Sequence, residues 1–122
     1  MKLNNNQIFE YANKLSVFKD FNAKMPVRIN FYLQKNIQLI MQATEEIEKA
    51  RINIAMQFGT PNEEGNGYSI PPEKIAEVNR ELNDLFNLEQ DINLHLFKLD
   101  EFDNIELTYQ ELSAIMFMIE EW

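Results

Sequence analysis

The sequence predicts a mainly α fold with a minor β component. In it, a long central helix forms an antiparallel helical hairpin, flanked by short helices and a small two-stranded β element. Three observations predict this class. Apolar residues recur about every 3.6 positions from residue 27 to 58, with no glycine or proline among them. All three glycines and three of the four prolines fall between residues 59 and 72, which indicates one long connection. With 122 residues and 45% hydrophobic content, residues 1–122 are expected to form one domain.

The first predicted helix spans residues 6–19, where apolar side chains share one face and the Asn4–Asn6 run offers an N-cap. The early part of the chain is rich in aromatic residues: Phe9, Tyr11, Phe18, Phe21, Phe31 and Tyr32. Aromatic residues at helical spacing usually pack in a core, so they are expected to fill the space between this helix and the start of the next. The alternative is a groove for a partner's side chain.

The long helix is predicted over residues 27–58, with Pro26 before it and Gly59 just past it, where a left-handed C-cap is often needed. Its apolar stripe consists of Ile29, Leu33, Ile37, Ile40, Ala43, Ile47, Ala50, Ile54 and Phe58. Such a helix is about 45–50 Å long, so the rest of the chain must fold back along it. Arg51 lies at the edge of the stripe, and Glu77 or Glu81 is its expected partner.

A turn-rich loop is predicted over residues 59–71, followed by a helix over 72–88 that returns antiparallel to the long helix. Pro72 suits the first turn of that helix, and Glu73 complements its dipole. The loop has a few oxygen donors, but it lacks the alternating Asp/Asn ligands and the terminal Glu of a calcium loop. We therefore expect a solvated connection without a metal.

Residues 91–99 alternate apolar and polar side chains, which predicts a strand with one buried face. A strand needs a partner, and residues 68–70 and 105–107 are the internal candidates. If neither pairs with it, its open edge is a place where a partner's strand can add. His95, the only histidine, has no second ligand or nucleophile nearby in sequence, so a structural role is expected.

The last helix is predicted over residues 108–121. Thr108 and Glu111 have the spacing of a capping box, and Leu107 with Leu112 would complete a hydrophobic staple. Residues 112–122 are apolar around much of the helix surface. This surplus predicts either burial on two sides or contact with another chain.

The composition limits the kinds of functional site and binding partner that are expected. The chain has no cysteine and one histidine, so no thiolate site, metal site, cofactor site or catalytic constellation is predicted, and the chain is not expected to be an enzyme. A net charge of −9 opposes direct binding to nucleic acid. No apolar run is long enough for a membrane span, so no membrane contact is expected. The absence of cysteine fits a reducing compartment such as the cytoplasm.

The order of elements resembles a family of small phage and prophage proteins of Gram-positive bacteria, a family of unknown function. The resemblance rests on residues 25–27 at the start of the long helix, the turn 67–71, the helical segment 81–85 and the closing segment 107–119. It implies a viral or prophage origin, with an infected host cell or a virion as location. It supplies no activity and no functional residues.

The function expected from these observations is non-catalytic protein–protein binding, with a structural or assembly role in the phage particle and with self-association. The alternative is an acidic inhibitor of a host defence or nucleic-acid-processing protein. Electrostatic attraction mostly raises the rate of association, whereas apolar anchors hold a complex together. The candidate steering charges are Asp100, Glu101 and Asp103, and the candidate anchors are Met118 and Trp122.

Overall fold

The computed structural model describes residues 1–20 and 24–120. Within them, the chain forms four α-helices: α1 (Asn5–Leu15), α2 (Val27–Phe58), α3 (Ile75–Asn87) and α4 (Tyr109–Ile115). Two small antiparallel sheets accompany them, built from β1 (Lys2–Asn4), β2 (Thr60–Pro61), β3 (Tyr68–Ser69) and β4 (Glu89–Asp91). The predicted mainly α class with a minor β component is therefore confirmed.

Helix α2 has the predicted bounds, because nothing in its sequence interrupts the apolar period. Its buried face consists of Ile29, Leu33, Asn36, Ile40, Ala43 and Ile47. Burial ends at Ile47, and the predicted stripe residues Ile54 and Phe58 are only half-buried. The first two thirds of α2 thus lie in the core, while its last eleven residues continue beyond it.

Gly59 ends α2 for a different reason from the one expected. Its backbone is extended, with φ of −125°, so no left-handed cap is formed. A Cβ atom at this position would lie 2.7 Å from the Ser69 carbonyl oxygen and 2.7 Å from the Ile70 Cδ1. Glycine is required here because β3 approaches the end of α2 too closely for any side chain.

Helix α1 begins with a reciprocal cap. The Asn4 Oδ1 accepts a hydrogen bond from the Gln7 backbone N–H at 2.8 Å, and the Asn4 N–H donates to the Gln7 Oε1 at 2.9 Å. The α-helix ends at Leu15, and a 3₁₀-helix, Ser16–Asp20, replaces the last turn that was predicted to be helical up to residue 19.

The prediction of a strand over residues 91–99 is wrong for most of its length. Only Asp91 belongs to a strand, β4, and β4 pairs with β1 at the start of the chain, with Leu3 opposite Gln90. Neither expected partner is used. Strand β3 pairs with β2 in a hairpin, and residues 105–107 form no strand.

Helix α4 is shorter than the predicted 108–121. The capping box is present, since the Glu111 N–H donates to the Thr108 Oγ1 at 3.1 Å and the Thr108 N–H donates to the Glu111 Oε1 at 2.8 Å. After Ile115 the chain tightens into a 3₁₀-helix, Met116–Met118, and then runs beside Phe97. The Phe97 N–H donates to the Met118 carbonyl, and the Glu120 N–H donates to the Phe97 carbonyl.

The aromatic side chains join more distant elements than expected. Tyr11 of α1 stacks on Phe117, with ring centroids 4.0 Å apart, and Phe9 meets Phe86 of α3 at 5.6 Å. The first helix is thereby held against α3 and against the segment that follows α4. Phe21, part of the same predicted cluster, lies outside the described residues.

The α3 segment starts with a 3₁₀ turn, Pro72–Lys74, and then runs as an α-helix from Ile75 to Asn87. Its packing on α2 does not involve the ion pair that was predicted for Arg51. Arg51 pairs instead with Glu48, three residues earlier on the same helix, its Nε donating to the Glu48 Oε1 at 2.9 Å. Of the described helices, none is long and apolar enough to cross a membrane.

Replacement of Ile47 by aspartate should abolish cooperative unfolding, because Ile47 is 2% exposed and the new carboxylate would be buried without a partner. Glu46→Ala, at the neighbouring exposed position, should change the free energy of unfolding by no more than about 0.5 kcal/mol. Thermal melting followed by circular dichroism measures both. Similar melting temperatures of the two variants would contradict the assignment of Ile47 to the buried face of α2 and of Glu46 to its exposed face.

Candidate interaction surfaces

A buried asparagine in the apolar face of α2 holds the segment that follows β4. Asn36 is 1% exposed. Its Nδ2 donates to the His95 carbonyl at 2.8 Å, and its Oδ1 accepts from the His95 N–H at 2.8 Å. One side-chain amide therefore satisfies both backbone groups of His95, as a neighbouring strand would. The same Nδ2 lies 3.4 Å from the Met118 Sδ, so the contact also reaches the 3₁₀-helix after α4.

The imidazole of His95 is held between aromatic rings. It stacks on Tyr32 of α2, with centroids 3.9 Å apart and planes 12° from parallel, and its edge meets Phe97 at 4.7 Å. Its Nε2 is buried and has no hydrogen-bond partner within the described residues. A histidine held between rings in this way contributes packing area to this part of the molecule.

An open groove of about 400 Å³ lies beside this histidine. Its lining residues are Tyr32, Lys35, Asn36, Asn93, Leu94, His95, Leu96 and Glu120. Lys35 and Glu120 supply one charge of each sign. The described residues contain no group of three or more His, Cys, Asp or Glu side chains placed to hold a metal ion. The groove thus offers polar and charged side chains for contact.

Glu101 lies in a 3₁₀-helix, Leu99–Phe102, and is hydrogen-bonded both to the residue that caps this helix and to the start of α2. Its Oε2 accepts from the Lys98 backbone N–H at 2.7 Å, and its Oε1 accepts from the Arg28 Nη1 at 2.7 Å. Arg28 also lies over the Tyr32 ring, 5.4 Å from its centroid. The hydrogen bond from Lys98, and then the Arg28 guanidinium, hold the pKa of the Glu101 carboxyl below its ordinary value, against the opposing effect of partial burial.

The residues predicted to contact a partner differ in their surroundings where the structure describes them. Met118 is fully buried, so it belongs to the core and is not available as a surface anchor. Trp122 lies outside the described residues. Glu101 is engaged with Arg28, so Asp100 and Asp103 are the two exposed carboxylates among the three predicted steering charges.

Most of the net negative charge lies elsewhere, on a segment that we call the acidic arm, residues 45–91. It contains the second half of α2, the β2–β3 hairpin, α3 and β4. The arm has 11 acidic and 4 basic residues, and so carries seven of the nine net negative charges. Its only fully buried side chains are Ile47 and Val78. Within the described part of the chain, only two of its carboxylates are in ion pairs: Glu48 with Arg51, and Asp91 with the amino group of Met1.

Four carboxylates of the arm form what we call the acidic stripe, along the solvent face of α3 and the 3₁₀ turn before it: Glu73, Glu77, Glu81 and Asp84. All four are exposed. Spacings of three and four residues place such side chains above one another, about one helical turn or 5.4 Å apart. Arg80 lies beside the stripe and makes no ion pair with a described residue.

The stripe could have been found from the sequence. The apolar residues of α3, among them Val78 and Leu82, define its inner face, and the spacing of Glu77, Glu81 and Asp84 then places these acids opposite. The predicted steering charges belong to a segment, residues 100–106, in which four carboxylates lie within seven residues. Periodicity, more than local density, determines which charges share a surface.

Replacement of Asn36 by alanine should lower the free energy of unfolding by about 1–3 kcal/mol, because both backbone groups of His95 lose their partner. Asn30→Ala, at an exposed position of the same helix, should change it by no more than about 0.5 kcal/mol. Urea unfolding compares the two. An Asn36→Ala variant as stable as the wild type would contradict the role given to this amide.

The contribution of Glu101 should depend on pH. Since its pKa is lowered in the folded state, its stabilising effect is complete above the unfolded pKa and is lost as pH falls through the folded pKa. Glu101→Gln should therefore be less stable than wild type at neutral pH, and the difference should shrink at about pH 3. Urea unfolding at both pH values measures this. Glu106→Gln, an exposed carboxylate without an ion pair, is the control. A difference that stays constant with pH would contradict the assignment.

The chain matches no protein-family model, no curated protein and no solved structure. The resemblance to phage proteins therefore stays a prediction, and function must be argued from the surfaces described above.

Proposed function

We propose that this chain is a non-catalytic protein that binds a basic surface of another protein through its acidic arm. The main support for the proposal is that most of the net negative charge lies in a segment that has few buried side chains. Residues 45–91 hold most of the net negative charge and only two fully buried side chains. A segment that contributes little to the core, yet carries unpaired carboxylates in order along a helix, is suited to an external partner.

The chemistry of the arm favours a protein with clustered lysine and arginine. Carboxylates one turn apart repel the phosphate backbone of nucleic acid and attract a row of cationic side chains. Exposed apolar side chains on the same arm, Ile52, Met56 and Ile75, could supply contacts that slow dissociation. Charge would then raise the rate of association, and apolar area would set the lifetime of the complex.

A basic surface of this kind is typical of proteins that hold nucleic acid. The proposed role is therefore inhibition of a host defence or nucleic-acid-processing protein, in which the arm occupies a channel that otherwise receives a phosphate backbone. The setting of a phage or prophage is part of the proposal and rests on the family resemblance alone.

A structural or assembly role in the phage particle is the second candidate. It was expected from the surplus apolar area of the last helix. Ile115, Met118 and Ile119 are buried in the core, so that area is already used within the described chain. Self-association would also bring together two copies that each carry a net charge of −9. Both facts favour a basic partner over a second copy.

The proposal is tested by using the immobilised chain to capture proteins from a bacterial lysate. The wild type is compared with two variants that have the same net charge as each other. The first neutralises the acidic stripe: Glu73→Gln, Glu77→Gln, Glu81→Gln and Asp84→Asn. The second neutralises four exposed carboxylates outside the arm: Glu10→Gln, Asp100→Asn, Asp103→Asn and Glu106→Gln. We expect the wild type and the second variant to retain basic nucleic-acid-binding proteins that salt releases, because the Debye length shortens. The first variant should lose them.

Equal loss in both variants would mean that net charge, and not the stripe, attracts the captured proteins. Retention by the stripe variant would contradict the proposal directly. Direct, salt-sensitive binding of the isolated chain to DNA or RNA would exclude both candidate roles. Concentration-dependent self-association in light scattering, without capture of a basic protein, would favour the assembly role.

A further inference from the structure

The tip of the acidic arm is a turn closed by two asparagine side chains. The Asn62 N–H donates to the Gly67 carbonyl at 2.9 Å, and the Gly65 N–H donates to the Asn62 carbonyl at 3.1 Å. The Asn62 Oδ1 accepts from the Asn66 N–H at 3.2 Å, and the Asn62 Nδ2 donates to the Asn66 Oδ1 at 2.9 Å. Asn66 is exposed at the end of this turn.

Asn66 is followed by glycine, and it is the only asparagine of the chain that is. The Gly67 N–H makes no hydrogen bond to any described residue. We propose that Asn66 is a site of spontaneous covalent modification, in which its side-chain amide becomes a carboxylate through a cyclic imide formed with the Gly67 nitrogen. This inference is independent of the proposed function.

The reaction needs only water and base. Hydroxide removes the Gly67 amide proton, and the nitrogen attacks the Asn66 Cγ to form a C–N bond. The bond from Cγ to Nδ2 then breaks, and Nδ2 leaves as ammonia after taking a proton from water. Water opens the resulting five-membered imide at either carbonyl. Opening at Cγ gives aspartate, and opening at the main-chain carbonyl gives isoaspartate, in which the backbone runs through Cβ and Cγ.

Other asparagines lack these features. Asn53 and Asn79 lie within α2 and α3, where the N–H of the following residue takes part in the helical hydrogen bonds and a side chain crowds its nitrogen. Asn36 is 1% exposed, so hydroxide and water do not reach its amide as they reach that of the exposed Asn66. Only at Gly67 do an unpaired N–H, partial exposure and the absence of a side chain coincide.

The modification would change the tip of the arm in two ways. The Asn66 Nδ2 lies 3.4 Å from the Glu64 Oε2, so a donor facing a carboxylate would be replaced by a second carboxylate. The like charges would repel, and the arm would gain one negative charge. The isoaspartate form would also lengthen the backbone between Asn62 and Gly67, which are joined by a hydrogen bond across the turn.

Incubation of the full chain at neutral and mildly alkaline pH, followed by peptide mass spectrometry, tests the proposal. We expect Asn66 to be converted faster than every other asparagine, in both product forms, and faster at the higher pH because the attacking nitrogen must lose its proton. In Gly67→Ala the rate should fall by about an order of magnitude. This variant should keep its fold, because a Cβ at position 67 would meet nothing closer than the Asn62 Nδ2 at 3.4 Å.

The melting temperature of Gly67→Ala, measured beside the wild type, shows that the fold is kept, and Asn53 and Asn79 are internal controls in the same digests. Conversion of Asn66 no faster than that of these two residues would overturn the proposal. So would an unchanged rate in Gly67→Ala.

Discussion

The pair of hydrogen bonds between the Asn36 side chain and the His95 backbone is the contact on which the arrangement of the second half of the chain depends. It fixes an irregular segment against the middle of α2 at a point where no strand is available. From this point His95 reaches Tyr32, and Phe97 reaches the segment after α4. A polar residue in an apolar stripe thus determines where the chain crosses the helix, because an unpaired amide there would be costly.

The long helix was predictable to the residue, because its uninterrupted stripe and Pro26 are local signals that agree with each other. The strand at residues 91–99 was not, although its alternation of apolar and polar residues is real. Alternation reports that one side of an extended segment is buried. It does not report whether the backbone pairs with a strand or with a side chain such as that of Asn36, which lies 59 positions earlier.

The surfaces were less predictable than the fold. Strand β1 has only three residues, and its pairing with β4 follows from the position of α1 against α3, which local sequence does not contain. Met118 could not be distinguished from a surface anchor, since an apolar terminal segment looks alike whether its own chain or another covers it. The helical period that identifies the core face of α3 also identifies its exposed face. That exposed face holds the carboxylates on which the proposed function rests.

The pairing of β1 with β4 also has a consequence for synthesis. Residues 2–4 leave the ribosome before the strand they pair with, residues 89–91, which follows nearly ninety positions later. At about 5–20 residues per second, the start of the chain waits several seconds for its partner. Local contacts within α1 and α2 can form in that interval, but closure of this small sheet cannot. This small sheet is therefore expected to close only after α1 and α2 have formed.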